Sequence, residues 1–253
     1  MKTFPERFGA IHLARCRSTS DYLKALLPRR QGDLPLMVCA DAQLGGRGRD
    51  GRAWFSPPGL GLYATFAFAL GERRALHLLS IASGVAVAEA LAAWTGEAFS
   101  LKWPNDVVAV GRKIAGILCE TMIAADTVTC LVGVGINANH VEGDFPPELR
   151  ARAGSLRMLT GREWPLADGL SMLAAGMDAG LRRLEAGRTA AILRRARRLS
   201  RPFLGREIAF HHRGSMWRGR FLGLAVDGGL LLEVDGRKEK IFYSGEMIAD
   251  GPA

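Results

Sequence analysis

GGRGRDGRAWFS, residues 45–56, sets three arginines among glycines and closes on a tryptophan before Phe55 and Ser56. Two readings compete for it. A flexible arginine-glycine segment binds RNA through its charge. A folded loop of the same letters wraps a phosphate. Glycine lets the backbone approach a ligand closely, and arginine offers a planar fork that matches carboxylate or phosphate oxygens. The flanking sequence favours the loop. PLMVCADAQ (35–43) is a short apolar run, which predicts a strand. GLYATFAFAL (61–70) alternates aromatic and small residues, which predicts a second. A solvated basic hairpin would account for the stretch if it stood alone.

The chain has 253 residues, 48% hydrophobic and 23% charged. That excludes disorder of the whole chain and allows one large core, or a large domain plus a small one. The net charge of +9 points to an anionic partner: nucleic acid, nucleotide, membrane surface or acidic protein. An arginine-rich composition gives the same balance with no partner. The start, MKTFPERFGAIHLARCRS, lacks the long apolar core of a signal peptide. The most apolar stretch, 76–94, contains His77 and Glu89. A membrane span needs roughly 20 nearly uninterrupted apolar residues, so a buried helix and no membrane are expected. Cys16, Cys39, Cys119 and Cys130 form no C-x-x-C pair and have no histidine at metal-ligand spacing. A reduced, cytoplasmic protein with no cysteine-bound metal is expected.

STSDYLKALL (18–27) reads as a helix start, with serine, threonine and aspartate available as caps. Residues 75–94 are the buried helix. FSLKWPNDVVAVGRKIAGILCETM (99–122) reads as strand, turn, strand, with Gly111-Arg112 as a hairpin signal. TVTCLVGVGINAN (127–139) is a further strand with a glycine-rich end. Strands interleaved with long helices predict an α+β fold, a mixed sheet with packed helices. Residues 166–200 turn helical, with a dense arginine face at Arg194, Arg195, Arg197 and Arg198, until Pro202 stops the pattern. That face is solvated or steers an acidic partner. Residues 207–248 hold short strands separated by Asp-Gly turns, a small all-β module of about five strands. The expected division is 1–202 and 203–253.

Two further clusters accompany the loop. KWPND (102–106) brings a lysine, an aromatic ring, an amide and a carboxylate to one corner fixed by Pro104. Lys113 follows the Gly111-Arg112 turn and enters an apolar strand, where it meets an anion at a pocket wall or snorkels to the surface. GVGIN (133–137) places two glycines at a strand end, where a flat ligand can pack and Asn137 can read a polar edge.

Together, S-T-S at 18–20, Q-L-G-G-R-G-R-D-G-R-A-W at 43–54, K-W-P-N-D, R-K-I-A-G-I-L-C-E at 112–120 and G-V-G-I-N resemble the biotin protein ligases, in their order and at similar spacing. The resemblance runs from about residue 10 to the end. It implies the biotin–lipoate ligase fold, similar to class II aminoacyl-tRNA synthetases, followed by a small SH3-like β-barrel. It implies MgATP and biotin as substrates, biotinyl-5′-AMP as intermediate, and the biotin carrier domain of acetyl-CoA carboxylase or a related carboxylase as acceptor. Members also form homodimers. Many bacterial members carry an N-terminal DNA-binding module; the chain begins at the catalytic region, so no DNA role through that module is expected.

By match to the family, Ser18, Thr19, Gln43, Gly46 and Arg47 contact biotin, and Gly116 and Gly133 line its pocket. Arg49, Arg52 and Lys113 take the phosphate and carboxylate side. Trp54, Asn105, Ile136 and Asn137 surround the adenosine. Lys102 and Asp106 lie near the reacting phosphate, Asp106 through magnesium. Ser20 departs from the family's S-T-N, where asparagine is expected. A lipoate–protein ligase would carry a different pocket motif. A nucleic-acid binder would use paired exposed aromatics for stacking, which the C-terminal module lacks. A non-catalytic biotin binder would share the pocket without the chemistry.

Overall fold

The computed structural model describes residues 7–29, 34–70, 73–124, 127–236 and 238–248. The outer ends of the two expected units, 1–6 and 249–253, lie outside the described residues.

Seven strands make the larger sheet: β1 (Gly9–Leu13), β2 (Leu36–Ala40), β3 (Gly61–Ala69), β4 (Ser100–Lys102), β5 (Asp106–Ala109), β6 (Arg112–Ala124) and β7 (Thr127–Asn137). Their spatial order is β1-β2-β3-β7-β6-β5-β4. β1 runs parallel to β2 and the other neighbours pair antiparallel. The mixed sheet is the one expected from sequence. β1 gave no signal there, because GAIHL lies at the sheet edge and is mostly exposed. The 99–122 segment makes three strands where two were expected. One turn falls at 103–105, inside KWPND, and the other at Val110 and Gly111, both left-handed with φ 47° and 71°.

Among the described residues, six α-helices accompany the sheet: α1 (Thr19–Leu26), α2 (Leu79–Thr95), α3 (Pro147–Arg150), α4 (Leu156–Thr160), α5 (Leu166–Glu185) and α6 (Thr189–Ser200). The helical stretch expected over 166–200 is two helices, broken at Gly187 with φ 63°. Strand alternation gives the sheet two unlike faces. Leu62, Ala64, Phe66 and Phe68 of β3 join Val132, Val134 and Ile136 of β7 on one face, packed under α2 and α5. Fully burying a side chain such as Phe66 contributes roughly 1.5–3 kcal/mol. α2 is apolar on nearly every side, as a helix buried all round must be. Leu76–Thr95 is long and apolar enough to cross a membrane, but 67% of it is buried in the core.

The opposite face carries Tyr63, Thr65, Ala67, Leu131, Gly133 and Gly135. α1 covers one end of it, where Leu23 meets Leu36, Val38, Ala67 and Leu131. Beyond Leu23 the side chains shrink to threonine and glycine. A shallow floor is left there for something else to cover.

The second sheet holds β8 (Glu207–His212), β9 (Ser215–Leu224), β10 (Leu230–Val234), β11 (Lys238–Phe242) and β12 (Glu246–Ile248), ordered β11-β10-β9-β8-β12 and antiparallel throughout. It packs against the KWPND corner. Trp103 Nε1 donates to the Gly228 carbonyl at 3.0 Å, and the Trp103 and Phe210 rings lie 6.0 Å apart. The arginine face of α6 is more than a solvated surface. Arg195 and Arg198, with Arg183 of α5, surround Glu89 at 3.0, 3.7 and 3.2 Å. Arg197 donates to the carbonyls of Leu224 and Ala225, tying α6 to the second sheet.

Candidate active site

The glycine-arginine stretch is a folded hairpin. Leu44 N and Gly45 N donate to the carbonyls of Cys16 and Arg17, which fastens its start beside α1. Trp54 N donates to the Gly46 carbonyl at 2.9 Å, and Arg47 faces Ala53 across an antiparallel bridge. The tip is a turn at Arg49–Gly51, with Asp50 and Gly51 in the left-handed region. The loop lies over the uncovered face of the sheet.

Trp54 lies on the floor. Gly116 and Gly135 are partners across β6 and β7. A β-carbon at Gly135 would collide with the Trp54 indole, and one at Gly116 would sit 2.9 Å from it. Two glycines side by side therefore make the space the ring occupies. Lys113 Nζ is 5.4 Å from the ring centroid, within cation–π range.

At the α1 end the charges are paired and the other polar groups are neutral. Ser18 caps α1, accepting from Asp21 N at 3.4 Å. Thr19 N donates to Gln43 Oε1 at 2.9 Å, and Gln43 Nε2 donates to Ser56 Oγ at 3.1 Å. Gly46 is closed in by Gln43, Trp54 and Ser56, so a side chain there would displace them. Arg47 pairs with Asp21 in the first turn of α1.

The other end is charged. Arg49 Nη1 donates to Asn105 Oδ1 at 3.2 Å and to the Gly245 carbonyl at 3.0 Å. Asn105 is itself fixed by donating to the Ile117 carbonyl at 2.7 Å. Arg52 forms a two-pronged pair with Glu246 at 2.8 and 2.5 Å. Lys113 Nζ meets Asp106 Oδ1 at 2.5 Å. Burial pushes the Lys102 ammonium below its ordinary value; Lys113 and Arg152 add to that, while Asp106 and Glu246 oppose it. Five cations (Arg49, Arg52, Lys102, Lys113, Arg152) thus gather with three carboxylates (Asp50, Asp106, Glu246), an excess suited to a polyanion.

The structure brings Arg49, Arg52, Lys102, Asn105, Asp106 and Lys113 together at one end of the loop-covered sheet face, and Thr19, Gln43 and Gly46 at the other. Two expectations need correction. Ile136 points its side chain into the core under α2 and α5, because it alternates with Gly135 and Asn137. Asn137 is buried and donates to the carbonyls of Gly154 and Lys113, at 2.9 and 3.3 Å. Its amide therefore anchors the 152–154 segment beside Lys113.

Sequence reasoning missed Thr65, Arg152 and Glu246. Thr65 had a signal, as the one aliphatic hydroxyl within an apolar strand. Glu246 had none, since it arrives from the second sheet, 194 residues from Arg52. Among the described residues, no three His, Cys, Asp or Glu side chains converge as a metal cage. Magnesium bound with a nucleotide takes most ligands from phosphates and water, so one carboxylate suffices, and Asp106 fits that need.

The fold, with neutral polar groups at one end of the loop and clustered cations at the other, has the form of an enzyme that joins a small acid to a nucleotide. Residues 12–137 match the biotin/lipoate A/B protein ligase family. A biotin–acetyl-CoA-carboxylase ligase of Paracoccus denitrificans is 32% identical over 234 residues, 87% of this chain and 92% of that protein. The biotin protein ligase of Aquifex aeolicus, solved with biotin and ATP, superposes with TM-score 0.80 at 31% identity, covering 94% of this chain and 97% of that one. The bifunctional ligase/repressor BirA of Bacillus spizizenii is 36% identical over 129 residues; the match covers 50% of this chain and 40% of that protein. The chain belongs to the biotin protein ligases.

Proposed function

We propose that the chain is a biotin–acetyl-CoA-carboxylase ligase, which makes biotinyl-5′-AMP from biotin and ATP and passes the biotinyl group to a lysine of a carboxylase carrier domain. The observation that carries this is one loop-covered sheet face, polar at the Thr19 hydroxyl and the Gln43 amide and cationic at Arg49, Arg52, Lys102 and Lys113. The first reaction joins two anions. A carboxylate oxygen attacks the α-phosphorus, and pyrophosphate leaves. Fixed cations neutralise both reactants and the charge that develops between them.

In this reading Arg47 closes the loop over the acid, Arg49 and Arg52 hold phosphate, and Lys113 holds the carboxylate. Magnesium would supply charge neutralisation at the phosphates, with Asp106 as its protein ligand. Asn105 brackets Arg49, and Trp54 offers its flat face on the floor to the adenine. In the second reaction the carrier amine attacks the anhydride carbonyl, and AMP leaves. Residues 1–202 would form the catalytic unit. Residues 203–253 would supply Gly245 and Glu246 to its charged end. Pyrophosphate release from purified protein with biotin and ATP, against the same assay with lipoate, tests the reading. Release with biotin alone is expected; release with lipoate alone would move the chain to the lipoate enzymes.

A further inference from the structure

The arginines of α6 have no part in the proposed reaction. Ile192, Leu193 and Ala196 bury one side of that helix in the core beside α2. α2 and α5 lie on the sheet face opposite the glycine-arginine loop, so α6 stands behind the site. Its outer flank presents Arg194, Arg195 and Arg198, which line a surface cleft of about 260 Å³. Residues three and four apart are neighbours on a helix, and like charges there repel. One carboxylate is set against them. Glu89 of α2 meets Arg195 at 3.0 Å, Arg183 of α5 at 3.2 Å and Arg198 at 3.7 Å. Arg194 has no partner among the described residues. Arg183, Arg194, Arg195 and Arg198 thus carry four positive charges against one, an excess of three. A carboxylate shared three ways does not satisfy them. Arg195 Nε is buried and, for all its closeness to Glu89, makes no hydrogen bond.

The donors select the anion that would complete the cluster. Guanidinium forks match the oxygens of carboxylate and phosphate. A carboxylate has two oxygens in one plane, and Glu89 already shows that one of them leaves the cluster short of negative charge. A phosphate carries more charge, and its oxygens point in several directions, so several forks can donate to it at once. An extended polyanion such as a nucleic acid wants cations spaced along a track. Here they are gathered between 194 and 198, and Arg197 is turned aside to the Leu224 and Ala225 carbonyls. We propose that Arg194, Arg195 and Arg198 form an oxyanion site, separate from the ligase centre, for a free phosphate-class anion of two or more charges. Inorganic pyrophosphate matches the excess of charge better than inorganic phosphate does. The site stands on its own geometry and does not depend on the ligase reading.

Calorimetric titration of the full chain with inorganic pyrophosphate, and separately with inorganic phosphate, tests it, at an ionic strength held constant with chloride. The loop cations also attract phosphate, so an Arg49→Ala/Arg52→Ala protein isolates the α6 site. Saturable pyrophosphate binding is expected in that protein, with weaker phosphate binding. Adding Arg194→Ala should raise the pyrophosphate Kd about tenfold or more. Adding Arg198→Ala as well should abolish binding. Arg194 has no partner to lose, so these comparisons are made between folded proteins, which equal melting temperatures would verify. Arg194→Ala in the parent background should leave kcat for pyrophosphate release unchanged. No saturable binding in the loop-substituted protein, or an equal Kd with alanine at 194, would overturn the site. Tighter binding of a short single-stranded RNA, lost with the same α6 arginines, would overturn the free-anion assignment and make the face a nucleic-acid surface. A parent that releases no pyrophosphate from biotin and ATP would refute the ligase reading and leave the titrations to judge this one.

Discussion

Arg52 of the glycine-arginine loop and Glu246 of the second sheet meet through two nitrogens and two oxygens, at 2.8 and 2.5 Å. The pair joins the loop to a different sheet. It also places a carboxylate beside cations assigned to phosphate.

Glu246→Gln keeps the shape and removes the charge. Burial alone would raise the Glu246 carboxyl, but the hydrogen bond and charge of Arg52, with Lys102 and Lys113, outweigh it and hold it below its ordinary value. A depressed carboxyl stabilises the fold above its unfolded value, near 4.3, and that contribution is lost as pH falls through the folded value. The parent should melt above Glu246→Gln at neutral pH, by about 1 kcal/mol or less because the pair is partly exposed. The gap should close as the pH falls below about 4. A gap that persists in acid would contradict this account.

Gly135→Ala sets a methyl group against the Trp54 ring. Either the ring leaves the floor or the strands part, at a cost of about 1–3 kcal/mol. Pyrophosphate release should fall about tenfold or more, since the loop carrying Arg49 and Arg52 moves with the ring. Gly143→Ala is the control, because a β-carbon there meets nothing within 4 Å. Equal activities would dismiss the floor as a determinant.

Arg47→Ala removes the contact with Asp21 that closes the loop against α1. A loop that opens admits water and lets a reactive anhydride escape. Biotinyl-AMP is expected to leave the variant about tenfold faster, measured by its retention on a desalting column. Asp21→Asn should behave alike. Retention equal to the parent's would remove Arg47 from this role.

His140 is fully buried, stacked on Phe145 at 4.7 Å and near Phe55 at the end of the loop. Burial pushes it down to about 4, against the charge of Asp144 and the Leu60 backbone. The unfolded chain takes up a proton near pH 6.5 that the folded one refuses until about pH 4, so stability falls across that window, by up to about 3 kcal/mol. His140→Phe keeps a ring on Phe145 and loses the titration. Urea midpoints at pH 7 and pH 5 should drop more for the parent than for the variant. Parallel drops would show that His140 does not set the acid limit.

The local sequence made much of the site legible. Glycines 45, 46, 48 and 51 with three arginines could be read as a cradle because each backbone freedom and each fixed charge belongs to its own residue. KWPND and Lys113 were legible for the same reason. The mixed sheet followed from strand and helix patterns. The five short strands after 202 followed from their Asp-Gly turns.

Which face a residue joins was harder to see. Ile136 and Gly135 are neighbours in one motif, yet strand alternation sends one into the core and the other under Trp54. Periodicity fixes that they differ; only the packing of α2 and α5 decides which face is dry.

What the sequence by itself determined is the chemistry available: a glycine floor, fixed cations, a hydroxyl-bearing helix start, and a family pattern with one departure at Ser20. Tertiary structure alone decided the partners. Glu246 reaches Arg52 because the second sheet is pinned to the KWPND corner through Trp103 and Gly228. Thr65 reaches Ser20 because α1 lies across β3. Contacts between distant segments depend on how whole elements pack, and no local pattern encodes that.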